Sequence, residues 1–169
     1  MTKHHLLLAA AFAIAGCQAP REPARASPSP QDLTGAWRVE IQFQSGDFAA
    51  IRDLQFMTVF NQGGTLTESS NYDSAPPVPP AYGIWRATGP NAFEAKYEFF
   101  VTKAPAAIAD LTTGGGWLPA GRGVFTEAIQ LSPDGSTYTS QIHYAAHDSL
   151  GQPRAGGGDA IGRGVRMAF

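Results

Sequence analysis

Cysteine is almost missing from this chain. Only Cys17 is present, so no disulfide can form within the molecule and the fold must rest on its core. Positive charge is scarce as well. Past the N-terminal segment the only lysines are Lys96 and Lys103, no basic run occurs, and the net charge is −2, which excludes an electrostatic nucleic-acid binder. The sequence carries no HExxH, no CxxC, no phosphate loop and no nucleophile elbow. Glycines 114–116 and 156–158 read as turn material, and neither run opens a helix able to cradle a phosphate. His143 and His147 stand four residues apart in a strand pattern, about 13 Å along it, too far to share one metal ion. No metal site and no cofactor is expected. Charged residues are only 15 %, yet hydrophobic ones reach 43 %, so the chain is not a disordered one.

What the chain does have is period-two alternation. Tyr82–Lys103 is the strongest stretch: two strands joined by a turn at Gly89-Pro90-Asn91. From Phe93 onward Phe93, Ala95, Tyr97, Phe99 and Val101 share one face, with Glu94, Lys96, Glu98 and Thr102 on the other. A first strand alternates Trp37, Val39, Ile41 and Phe43 with Arg38, Glu40 and Gln42. The second is read over 51–60, with Leu54, Phe56, Thr58 and Phe60 on one face; Asn61-Gln62-Gly63-Gly64 then turns the chain into a third strand over 65–70. Asn71–Pro80 holds four prolines and must be a loop. After the hairpin, Pro105–Leu111 suits a helical turn or two, and Trp117 sits in a long loop as a candidate lid or plug. Strands six, seven and eight are read over 121–131, 136–147 and 159–169, separated by the Ser132-Pro133-Asp134-Gly135 turn and a Gly-rich turn over 148–158. Eight sequential strands with short connections predict an all-β fold, an eight-stranded antiparallel up-and-down barrel, with a β-sandwich as the competing solution.

Two charges fall on faces that read as inward. Glu127 lies among Phe125, Ile129 and Leu131, and Arg163 among Ile161, Val165 and Met167. They are candidates for a ligand site, or equally for a buried ion pair. A one-residue slip in either face would move them outside. Tyr97, Phe99, Tyr138 and Tyr144 on inward faces would give an aromatic lumen, as a pocket or as ordinary core.

The N-terminus reads as an export signal. Lys3 with His4 and His5 precedes an apolar run from Leu6 to Ala15, which is too short to cross a bilayer as a helix. The run ends in Ile14-Ala15-Gly16-Cys17, which resembles the lipobox of bacterial lipoproteins. That resemblance implies a signal peptide over 1–16 and lipidation at Cys17. Gln18 at the next position implies the cell envelope, on the periplasmic face of the outer membrane. The Pro- and Ala-rich segment over 17–31 then reads as a tether and 32–169 as the barrel domain.

Gly35-Ala36-Trp37 at the start of the first strand resembles the GxW motif of lipocalins and the wider calycin group. In those barrels the Trp closes the lumen and an Arg of the last strand packs on it, which here implies structural roles for Trp37 and for Arg163 or Arg166. FNQGGTL, YGIWRATGPNAFEAKYEFF and GVFTEAIQLSPDGSTYTS resemble uncharacterised bacterial lipocalin-like proteins, in which a GxW recurs mid-chain, here Gly83-Ile84-Trp85. The expected function is non-enzymatic binding of a small apolar or amphipathic molecule, with membrane contact through the lipid anchor only. The alternatives are a cyclase- or isomerase-like enzyme using Glu127, and a structural lipoprotein with a filled core.

Overall fold

The computed structural model describes residues 32–72, 79–114 and 116–169. The segments read as a signal peptide and a tether, with Cys17, and most of the proline-rich loop lie outside the described residues. Eight strands follow one another: β1 (Gly35–Phe43), β2 (Leu54–Phe60), β3 (Thr65–Ser70), β4 (Ala81–Gly89), β5 (Ala92–Lys103), β6 (Leu118–Leu131), β7 (Thr137–His147) and β8 (Pro153–Arg166). Each pairs antiparallel with its sequence neighbour, and β1 pairs with β8, so the sheet is a closed up-and-down barrel. The sandwich alternative is thereby excluded. A single 3₁₀ turn, Ile108–Leu111, stands where one or two helical turns were expected.

Alternation decides what fills the barrel. Trp37, Val39, Ile41 and Phe43 point inward from β1, Leu54, Phe56, Thr58 and Phe60 from β2, and Phe93, Ala95 and Tyr97 from β5. All of these are faces read directly from the sequence pattern. Trp117 is 40 % exposed just before β6, so it does not plug the lumen.

The last strand is where the expectation fails. β8 begins at Pro153 rather than Asp159, and its inward face is the small one: Gly158, Ala160, Gly162 and Gly164 are buried, whereas Ile161 and Val165 are 41 % and 58 % exposed. Arg163 is therefore outward, in register with Glu40 of β1 and Thr139 of β7, and does not enter the lumen. The reason is steric. A Cβ at Gly164 would stand 2.3 Å from Tyr138 Cε1, so the Tyr138 ring occupies the space a side chain would need. Gly158 is equally confined: a Cβ there would meet Ser45 O at 2.1 Å, where β1 runs on past its end against β8. Those glycines are places of close approach within a strand, not a turn.

One end of the barrel is shut by Trp37. Its ring is fully buried and its Nε1 donates to Leu33 O at 2.9 Å. Arg166 lies over the ring, its guanidinium carbon 4.3 Å from the centroid. The same guanidinium donates to Gly135 O (2.8 Å), Thr34 O (2.5 Å) and Asp32 O (2.7 Å). One side chain thus ties the entry segment, the β6–β7 turn and the end of β8 to the buried indole.

Arg166→Met should lose about 2–3 kcal/mol of unfolding free energy, since charge-assisted hydrogen bonds are lost along with the stacking. Arg163→Ala, on the wet face, should stay within about 0.5 kcal/mol of the parent. Urea unfolding of both variants checks the contrast, and equal effects would show that the closed end does not depend on Arg166.

Candidate functional site

The lumen holds two groups of aromatic rings. Near the closed end Trp37 meets Tyr138 (centroids 4.9 Å apart), Tyr138 meets Phe60 (6.4 Å), and Trp85 bridges Phe60 and Phe93 (5.8 Å each). Toward the opposite end Phe125 contacts Tyr97 (5.0 Å), Tyr144 (5.0 Å), Phe56 (5.6 Å) and Phe99 (5.7 Å), while Phe48 from the β1–β2 loop reaches Phe43 (5.2 Å), Tyr144 (5.3 Å) and Tyr72 (5.6 Å). Two carboxyls, Glu127 of β6 and Glu68 of β3, are buried in the same lumen, 5 % and 6 % exposed. Glu127 is hydrogen-bonded to a ring of the second group, Tyr97, and its charge acts on a ring of the first, Tyr138.

Glu127 Oε2 accepts a hydrogen bond from Tyr97 Oη at 3.1 Å. Burial pushes the Glu127 carboxyl up to about 7, and the hydroxyls of Ser140 and Tyr97 pull it partly back by favouring the charged form. The Ser140 hydroxyl achieves this by proximity, since neither Ser140 Oγ nor Glu127 Oε1 has a partner at hydrogen-bond geometry. Space for Ser140 comes from β8: a Cβ on Gly162 would lie 2.4 Å from its Oγ. Glu68 is raised further, to about 8, first by burial and then by the charge of Glu127. Its Oε1 is also buried without a partner. Tyr97 is pushed well above the usual phenol range, by burial first and by Glu127 next, so it remains a donor.

A cavity of about 330 Å³ opens above these acids. Phe43, Phe48, Phe56, Phe99, Phe125 and Tyr144 form most of its wall, Glu68 and Ser70 line it from β3, and Asp47 stands at its mouth. A larger depression, about 1360 Å³, runs over the outer saddle of β4–β8 past Arg86, Lys96, Gln141 and Asp159 and is open to solvent. Glu127 also borders this depression from β6, whereas Glu68 lines only the smaller cavity.

The structure therefore brings together Tyr97, Glu127, Tyr138 and Tyr144 in the interior, with Phe99 partly buried at the cavity wall. Arg163 is removed from that set by its outward direction, and Arg166 serves the closed end instead. Glu68 is the residue that the sequence pattern could have revealed and did not. Leu66, Glu68 and Ser70 share one face of a six-residue strand, and only an inward Leu66 would have signalled an inward acid. Phe48 belongs to no strand, so no periodicity pointed to it. Among the described residues no cluster of three metal-ligating side chains occurs. The chain matches no family model, no curated protein and no solved structure at a significant level.

Both acids have folded-state values above the ordinary 4.5, so the folded barrel binds protons more tightly than the unfolded chain. Their contribution is complete at pH values below about 4.5 and is lost as pH rises through about 7 and about 8. Unfolding free energy should fall by about 2–2.5 kcal/mol per pH unit between about pH 5 and 7. The double variant Glu68→Gln/Glu127→Gln should flatten that slope and be the more stable protein at about pH 9. Urea titrations across the range test this, and parallel slopes for both proteins would show that the acids are solvated.

Proposed function

We propose that this protein is a lipid-anchored, calycin-like barrel of the bacterial envelope that holds a small amphipathic molecule in its lumen. The observation that carries the reading is the aromatic cavity of about 330 Å³ with an unpartnered buried carboxyl, Glu68 Oε1, in its wall. A barrel serving only as structure would gain by closing such a space and replacing the acid with a hydrocarbon side chain. Ligand pockets span about 300–1,000 Å³, so this cavity suits a compact ring or short chain rather than a long acyl tail. The calycin likeness draws support from the closed up-and-down topology, from Gly35-Ala36-Trp37 at the start of β1 and from Arg166 stacked on that Trp.

The Tyr97–Glu127 pair also has the chemistry of an acid–base couple, which is the basis for an enzymatic reading. Two facts favour binding instead. Neither residue forms part of the cavity wall, and that wall offers hydroxyls, carboxyls and rings but no cation to polarise a substrate. The cell-envelope part of the proposal rests on Ile14-Ala15-Gly16-Cys17 and on Gln18 beyond it.

Native mass spectrometry of the purified chain should reveal a co-purifying small molecule. Ser70→Trp, which places an indole in the cavity, should weaken its retention at least about ten-fold, or about 1.4 kcal/mol, with the thermal midpoint preserved. Retention unchanged by the indole would place the ligand elsewhere and sink the lumen reading. Separately, bacterial cells fed labelled palmitate should label the parent chain and not Cys17→Ser, whose release from the membrane fraction reports the loss of the anchor. Equal labelling of both would remove the lipoprotein assignment.

A further inference from the structure

The charge inside the barrel is one-sided. Glu68 and Glu127 are both buried, and each has one carboxylate oxygen without a hydrogen-bond partner. Among the described residues every Lys and every Arg except Arg166 is exposed. Arg166 is held at the closed end by three carbonyls and the Trp37 ring. Neither acid has an ion pair among the described residues, since those recorded all lie on the outer surface, such as Lys96–Glu98 and His143–Asp159. Two acids without a base can stay buried only if something brings positive charge to them. In the empty barrel that is a proton.

The cavity wall says what else could supply the charge. The rings of Phe43, Phe48, Phe56, Phe99, Phe125 and Tyr144 line the space above Glu68. Aromatic faces attract cations, most strongly where water is excluded. They offer nothing to a hydrated inorganic ion, which needs several oxygen ligands, and no such cluster exists among the described residues. A carboxylate ligand would meet only like charge, from Glu68 in the wall and Asp47 at the mouth.

We propose that the lumen recognises a small organic ammonium, its nitrogen against Glu68 with Glu127 behind it, and its apolar body within the ring of phenylalanines. This rests on the lumen-binding reading above and specifies its ligand class. On binding, the ammonium takes the place of a proton held by the acids. That proton leaves to solvent, so charge in the lumen stays balanced and binding is coupled to pH. The groups that face Glu68 and act on it are Glu127 of β6 and, through its own link to both acids, Tyr97 of β5. At the mouth burial raises the Tyr144 phenol, Asp47 adds to that rise and Arg154 opposes it.

Calorimetric titration of the full chain at about pH 7.5 with 2-phenylethylamine, 2-phenylethanol and 3-phenylpropanoate tests the assignment. The amine should bind at least about ten-fold more tightly than the alcohol, the carboxylate least, and the measured heat of the amine should vary with the ionisation heat of the buffer. Glu68→Gln should keep the alcohol's affinity and bring the amine to within about three-fold of it. Glu127→Gln, which leaves Glu68 in the wall, should retain part of the preference. An alcohol that binds the parent as well as the amine, or a preference that survives Glu68→Gln, overturns the ammonium assignment and leaves lumen binding standing. Failure of all three probes to bind the parent overturns both. The comparison of three probes on the parent needs no variant, so a misfolded Glu68→Gln would not rescue the idea.

Discussion

Closure of the sheet is the constraint on which the rest depends. A flat sheet of eight strands would leave β1 and β8 as bare edges, and pairing them removes both. Closure then fixes the lumen, and the lumen has less room than the inward side chains of eight strands would ask for. β8 resolves the crowding by presenting Gly158, Ala160, Gly162 and Gly164 to the inside. Tyr138 and Ser140 of β7 extend into the space those residues leave. Arg166 then anchors the end of the seam by joining β8, the entry segment and the β6–β7 turn around Trp37.

Within that frame the packing is uneven. The closed end is dense, with Leu33, Trp37, Phe60, Leu66 and Leu131 all nearly without exposed surface. The other end keeps a cavity and a buried acid in its wall. Hydrocarbon side chains could fill such a space, so an open aromatic chamber beside an unpartnered carboxyl carries a stability penalty. Glu127 adds to the cost of Glu68, because its charge makes a second charge there harder to hold. A lumen with those properties responds to whatever brings in a positive charge.

Most of the strands were legible from alternation alone. β1, β2 and β5 show clear inside and outside faces because most inward positions carry large apolar residues, from Trp37 to Tyr97. The turn chemistry was equally plain at Ser132-Pro133-Asp134-Gly135, where Asp134 accepts from Ser132 Oγ (2.6 Å), Ser136 Oγ (2.7 Å) and Ser136 N (3.1 Å). β8 misled because hydrophobicity is a poor guide where the inside has no room. Ile161, Val165 and Met167 are the apolar set, yet the tight face belongs to glycine. The position of Arg163 was lost with that face, while Glu127 was legible because its neighbours Phe125, Ile129 and Leu131 are unambiguous.

By itself, then, the sequence determined an all-β chain of eight sequential strands, most of their facing, the turns between them and an acid at Glu127 on a buried face. Those features are local, set by period-two alternation and by backbone preferences a few residues long. Only the tertiary structure decided that Glu68 meets Glu127, that Arg163 lies outside, and that Phe48 comes off a loop to wall a cavity. Each depends on strands far apart in sequence meeting across a lumen whose width is set by closure, and no local pattern records that distance.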